Sequence, residues 1–156
     1  MPAWNPNLRS KAAIRTTDAR YFADSSIAAA SLGVGPEGLI ADLNTMGFIF
    51  ETMAVRDLRV YAQAIRGGVR HFRDSSGLEC DAVVTLRDGS YGLVEIKLGG
   101  DVLVEDGAAN HSEVSRKIDT TKMGDPSFMM VLTGIGGFAY RREDGVLGVP
   151  IGCLRD

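Results

Sequence analysis

The sequence predicts a single α/β domain, on three observations. A long helical row of apolar and small residues precedes three closely spaced strands. A second helical stretch then leads to a strongly apolar strand and a terminal hairpin. No repeat, low-complexity stretch or linker divides the 156 residues, which suffice for one core.

Residues 1–20 carry Pro2, Asn5, Pro6 and Asn7 among the basic Arg9, Lys11, Arg15 and Arg20. They read as an extended arm packed by Trp4 and Leu8. Arg20–Ala23 is a candidate short strand. Ser25–Leu32 reads as a small helix, with Asp24, Ser25 or Ser26 as N-cap candidates and Gly33 as its stop. Val34–Gly38, with two glycines and Pro36, reads as a turn. A helix is expected from about Ile40 to Ile65. Its row Gly47, Glu51, Ala54, Leu58, Tyr61, Ile65 steps by four and three, and only Glu51 is neither apolar nor small. Gly67-Gly68 stops it. The chain thus divides into an arm and small helix over residues 1–38 and a main domain over residues 39–156, expected to form one structural unit.

Three strands are expected next, at Val69–Arg73, Leu78–Leu86 and Ser90–Leu98. Asp74-Ser75-Ser76-Gly77 ends the first, and Gly99-Gly100 follows the third. Glu105–Thr121 reads as a helix with Ala108, Ala109, Val114 and Ile118 as a thin apolar stripe. Pro126–Thr133 reads as a buried strand. After Gly134-Ile135-Gly136-Gly137, the segments Phe138–Arg142 and Val146–Ile151 form a hairpin around Asp144-Gly145.

Bulk properties narrow the function classes. No apolar run approaches bilayer-spanning length, and the N-terminus lacks a signal-peptide core, so a cytoplasmic protein is expected. Cys80 and Cys153 lack CxxC spacing and read as reduced, buried thiols. His71 and His111 have no partner at metal spacing and read as ordinary surface or packing residues. The net charge of −3 argues mildly against a dedicated nucleic-acid coat. Acidic metal ligands would also lower that total. The adjacent Arg141 and Arg142 are candidate phosphate contacts, although charges guarding an edge strand explain them equally.

The chemistry concentrates in the second and third strands. Side chains alternate faces along a strand, so Glu95 and Lys97 share one face while Val94, Ile96 and Leu98 share the other. Cys80, Ala82, Val84 and Leu86 read as the apolar face of the second strand, with Asp81 opposite them. Arg87-Asp88-Gly89 suits a three-residue loop with Gly89 in the left-handed conformation. That loop sets Leu86 opposite Ser90, Asp81 opposite Glu95 and Glu79 opposite Lys97. A two-residue turn would make the strands bury opposite faces. Opposed carboxylates repel unless one is protonated or a cation lies between them. Mg²⁺ suits oxygen ligands, so Asp81, Glu95 and the Ile96 carbonyl are candidate ligands, with Glu51 supporting through water. Lys97 would orient or help deprotonate a water, or steady phosphate charge. For Glu95-Ile96-Lys97 alone a solvated strand face is the better guess, but Asp81 and Glu51 shift the balance. The plain alternatives are a Glu79–Lys97 ion pair and a salt bridge from Glu51 to Arg73 or Arg70.

Phe50-Glu51, Gly77-Leu78-Glu79-Cys80-Asp81-Ala82-Val83-Val84 and Val94-Glu95-Ile96-Lys97-Leu98-Gly99 resemble the PD-(D/E)xK nuclease superfamily. The whole chain resembles more closely the C-terminal DUF4143 region of AAA-type ATP-binding proteins. Trp4…Leu8-Arg9-Ser10-Lys11, Arg20-Tyr21-Phe22-Ala23-Asp24, Gly47-Phe48, Val55-Arg56-Asp57-Leu58, Leu132-Thr133-Gly134, Ala139-Tyr140-Arg141-Arg142 and Val149-Pro150-Ile151 carry that resemblance. It implies a restriction-endonuclease-like core, a mixed central sheet flanked by helices, with Glu51, Asp81, Glu95 and Lys97 in the motif places. The chain has no GxxxxGK[ST] loop, hence no ATP site of that type, and resembles the back half of a longer protein.

The expected function is a Mg²⁺- or Mn²⁺-dependent, endonuclease-type phosphodiesterase acting on DNA. The alternative is a non-catalytic DNA-binding or protein-interaction module that serves an ATPase domain outside this chain. A third reading has an RNA or tRNA substrate. A dimer is one arrangement that would serve two-strand cleavage.

Overall fold

The computed structural model describes residues 1–10 and 12–155; Lys11, counted above among the basic residues of the arm, lies outside them. The helices are α1 (Ser25–Leu32), α2 (Pro36–Ala41), α3 (Leu43–Ala64), α4 (Asp101–Lys117) and the short α5 (Thr120–Met123). The strands are β1 (Gly68–Arg73), β2 (Glu79–Thr85), β3 (Tyr91–Lys97), β4 (Phe128–Thr133), β5 (Tyr140–Arg141) and β6 (Leu147–Pro150). They form one mixed sheet in the order β1-β2-β3-β4-β6-β5. β1, β2 and β3 run as an antiparallel meander, and β5 pairs antiparallel with β6. The β3–β4 and β4–β6 pairs are parallel, and α4 and α5 lie on the connection from β3 to β4.

Helices cover both faces of the sheet. Phe50, Ala54, Val55, Leu58 and Ala62 of α3 pack on Val84, Val94, Ile96 and Leu132. On the other face Val114 and Ile118 meet Val83 and Leu93, while Val104 and Ala108 of α4 meet Val131. Each fully buried Val or Leu contributes roughly 1.5–3 kcal/mol. Because both faces are covered, Ala82-Val83-Val84 and Leu93-Val94 are buried without alternation.

Several boundaries differ from expectation for identifiable reasons. Pro36 opens α2 where a turn was expected, because its fixed φ suits the first helical turn. Asp42, at φ −125° and ψ 86°, then breaks the expected Ile40–Ile65 helix. Its carboxylate caps α3 by accepting from the N–H groups of Asn44 (3.1 Å) and Thr45 (3.2 Å). Ile65 is exposed rather than part of the buried row. Arg20–Ala23 forms no strand. The real buried face of α4 is Val104, Gly107, Ala108, His111 and Val114, whereas Ala109 is exposed. The terminal hairpin is shorter than expected, and Ile151–Cys153 is a 3₁₀ turn with Cys153 exposed, not buried.

The arm is held along its length. Ala3 bridges His71, Leu8 bridges Ile118 and Ile14 bridges Asp74. Trp4 meets the Phe72 ring edge-on at 6.2 Å and the Tyr91 ring at 5.0 Å.

Two local features set the register around the site. The β2–β3 loop bends as expected: the Leu86 N–H donates to the Ser90 carbonyl at 2.9 Å, and Gly89 sits at φ +89°. Ala82 therefore pairs with Val94 and Val83 with Leu93. On the opposite edge β2 is bulged. Arg70 pairs with Val83 but Phe72 with Cys80, so Asp81 and Ala82 together stand opposite His71.

Candidate functional site

The bulge turns Asp81 out of the regular sheet. In the ladder's register the next hydrogen-bonded pair after Ala82–Val94 would be Cys80–Ile96, yet the ladder ends at Ala82–Val94. The Asp81 Oδ2 instead accepts the Ile96 N–H at 2.8 Å, so a carboxylate replaces a backbone carbonyl. Cys80 moves to the α4 side with Val83 and Leu93. This corrects the expected apolar face of Cys80, Ala82, Val84 and Leu86. The N–H and C=O of one residue leave a strand on the same edge, so the Ile96 carbonyl shares the gap that Asp81 occupies.

Glu95 and Lys97 both face α4. Glu95 is buried; its Oε2 accepts from the Lys97 Nζ at 3.0 Å and its Oε1 from the Asn110 Nδ2 at 2.7 Å. Gly107 makes this approach possible. A Cβ there would lie 2.8 Å from Val131 and 3.4 Å from the Glu95 Cβ. The expected Glu79–Lys97 pair is absent from these contacts: Glu79 lies 3.5 Å from the Arg73 Nε, and Lys97 takes Glu95.

Glu51 arrives from α3. Its partner is neither Arg70 nor Arg73 but the Tyr21 hydroxyl, which donates to Oε1 at 2.7 Å. Glu51 and Asp81 line a cavity of about 450 Å³ between the arm and the bulged strand, together with Arg15, Tyr21, His71, Arg73 and Glu79. Its lining mixes the acids Asp18, Glu51, Glu79 and Asp81 with the exposed cations Arg15 and Arg73.

The electrostatics follow from crowding acids into little water. Burial raises the pKa of Glu51, and the charges of Asp81 and Glu79 add to that. Burial and then the Glu95 charge raise Asp81, against the Ile96 hydrogen bond. Burial raises Glu95 as well, against Lys97 and Asn110. Burial would lower Lys97, but Glu95, Asp81 and Glu51 outweigh it and raise it, so the ammonium stays charged. Tyr21 is raised by burial and by its bond to Glu51, and remains a donor.

The four predicted residues approach the end of the β2–β3 ladder from three elements, close enough for their charges to perturb one another, but Glu51 and Asp81 line the cavity whereas Glu95 and Lys97 do not. Arg142 is engaged elsewhere. Its guanidinium grips both Glu105 oxygens at 2.6 and 2.9 Å and also Asp144, which leaves Arg141 as the exposed member of that pair. Sequence reasoning gives Tyr21 and Asn110 no site role and takes His111 for an ordinary surface or packing residue. Asn110 and His111 do follow Gly107 at the three- and four-residue steps that mark one helix face, whereas Tyr21 lies in no periodic segment.

Among the described residues no helix is long and apolar enough to cross a membrane. No curated protein and no solved structure matches the chain. A family model does: the one described as a domain of unknown function, DUF4143, matches residues 46–154, from α3 past β6, and the chain belongs to that family.

Proposed function

We propose that the chain is a Mg²⁺- or Mn²⁺-dependent phosphodiesterase acting on DNA, built on a restriction-endonuclease-like PD-(D/E)xK core. One observation carries the reading. Three carboxyls from three elements, Glu51, Asp81 and Glu95, are all held above their ordinary pKa around one lysine. Such sites are enriched in function, because burial and like charge are costs that a structural cluster avoids. The donors fit a hard cation: carboxylate oxygens and a backbone carbonyl, in a setting where the acids repel.

Asp81, Glu95 and the Ile96 carbonyl would hold the ion, and Glu51 would support it through water. The ion would polarise the phosphate and lower the pKa of a bound water. Lys97 is raised, so it acts as a fixed positive charge toward phosphate oxygens and not as a base. Glu51, lining the cavity with a raised carboxyl, is suited to take a proton from water. Arg15 and Arg73, exposed in the cavity lining, would meet flanking phosphates.

A second reading also has an observation behind it. Each acid already has a partner within the chain, at Tyr21, Ile96, Lys97 or Asn110. That favours a non-catalytic DNA-binding or interaction module serving an AAA-type ATPase domain. Incubation with supercoiled, linear and single-stranded DNA in Mn²⁺ separates the two. The nuclease reading requires cleavage by the wild type that Asp81→Ala and Lys97→Ala each lose. Equal behaviour of all three proteins rejects it, and DNA affinity surviving Asp81→Ala without Mn²⁺ supports the module.

A further inference from the structure

The bulge that frees Asp81 has a second effect on the opposite side of β2. It delivers the Cys80 thiol to the α4 face, where His111 and Glu95 are also buried. One ligand atom from each of these three side chains lies within 4.8 Å of the other two. Cys80 is 1% exposed, Glu95 3% and His111 0%.

The histidine sets this group apart from ordinary packing. Its Nε2 lies 2.8 Å from the Met130 carbonyl. A carbonyl only accepts, so Nε2 carries the proton and Nδ1 carries the lone pair. That Nδ1 is buried with no hydrogen-bond partner among the described residues. A buried polar atom left unpaired is a standing cost to the fold that a ligand would relieve. A histidine whose far nitrogen is fixed by a backbone carbonyl matches the way metal-binding imidazoles are oriented.

We propose that Cys80, Glu95 and His111 form a Zn²⁺ site, distinct in ligand chemistry from the oxygen-lined cation site proposed above and sharing only Glu95 with it. One thiolate, one imidazole and one carboxylate make a donor set for Zn²⁺ and a poor one for Mg²⁺. The charges balance, since the thiolate and Glu95 offset the ion's two positive charges once the Cys80 proton leaves to solvent. Donors around tetrahedral zinc stand roughly 3.3–3.8 Å apart, so the three side chains need to close by no more than about 1.5 Å. Three protein ligands leave a fourth position for water. Glu95 belongs to both ion sets, so zinc would withdraw it from the hydrolytic arrangement and oppose Mn²⁺.

Co²⁺ titration of the full chain tests the site without any activity measurement. Co²⁺ bound to a thiolate gives an intense near-ultraviolet charge-transfer band, and tetrahedral coordination gives strong visible absorption. The wild type and Cys153→Ser are expected to show both, with Zn²⁺ displacing the signal stoichiometrically. Cys80→Ser is expected to lose the ultraviolet band, and His111→Ala to weaken Zn²⁺ binding at least tenfold, each checked for folding by circular dichroism. Asp81→Asn is expected to keep the band, so failure of the oxygen-lined site leaves this result intact. Absence of the band in folded wild type, or its survival in Cys80→Ser, overturns the assignment whatever the variants' stability.

Discussion

Replacing Asp81 with asparagine should stabilise the metal-free protein, and the size of the gain can be worked from the site. Burial and the neighbouring Glu95 charge push the Asp81 carboxyl from its ordinary 3.8 up to about 7. A raised carboxyl costs nothing well below its ordinary 3.8, where it is protonated folded and unfolded alike. The cost grows between the two values and is complete above the higher one. The difference is about 3 pH units at about 1.36 kcal/mol each, an upper bound of about 4 kcal/mol. Asp81 is only partly buried, and its repulsion is shared with Glu95, so solvent screening reduces this to about 1–3 kcal/mol. The variant's Oδ1 still accepts the Ile96 N–H, so the hydrogen bond that ends the ladder survives. Urea unfolding in chelator at pH 8 should show Asp81→Asn more stable than wild type by that amount, with the difference vanishing below about pH 3. Saturating Mn²⁺ should stabilise wild type and erase the variant's advantage. A variant less stable than wild type at pH 8, or a gain independent of pH, would refute the account of Asp81 as a strained carboxylate.

Other perturbations probe the supports. Gly107→Ala places a methyl 2.8 Å from Val131 and should cost about 1–3 kcal/mol by forcing α4 off the sheet, read by thermal unfolding. Tyr21→Phe removes the donor to Glu51 and should raise the Glu51 pKa further, since that bond lowers it; carboxyl-resolved NMR titration reads the shift. Burial opposes ionisation of Asp74, but Lys117 at 2.7 Å, Ser76 and backbone N–H groups hold it down at about 2. A depressed carboxyl contributes stability above its ordinary 3.8 that is lost as pH falls through about 2. Asp74→Asn should therefore flatten the acid limb of the stability curve between those values, measured by circular dichroism.

Much of the arrangement was legible because it rests on local rules. The Arg87-Asp88-Gly89 loop requires one left-handed residue and supplies glycine there, which sets the β2–β3 register as far as Ala82–Val94, one residue short of the expected Asp81–Glu95 pair. The row through Glu51 placed that acid over the sheet correctly, since helix periodicity depends on sequence spacing alone. The bulge was illegible because the strand is apolar on both faces around Ala82-Val83-Val84, so a shifted parity leaves no trace in the pattern. With the parity went the position of Cys80. His111 looked ordinary because its partners lie on β2, β3 and β4, remote in sequence. Tyr21 bonds Glu51 across 30 residues from a segment with no regular structure, and spacing says nothing about such a contact.

The carboxylate that ends the β2–β3 ladder ties the proposed cation site to the integrity of the sheet. A chain that loses the acid at position 81 to a side chain without an oxygen also strands the Ile96 amide at a strand edge. On the proposed reading, relatives that abandon chemistry would be steered toward asparagine, serine or threonine there, or toward restoring the missing backbone pair by deleting the extra residue of the bulge. An intact acid at this point in a distant relative is weak testimony for turnover, because the sheet itself has reason to retain it.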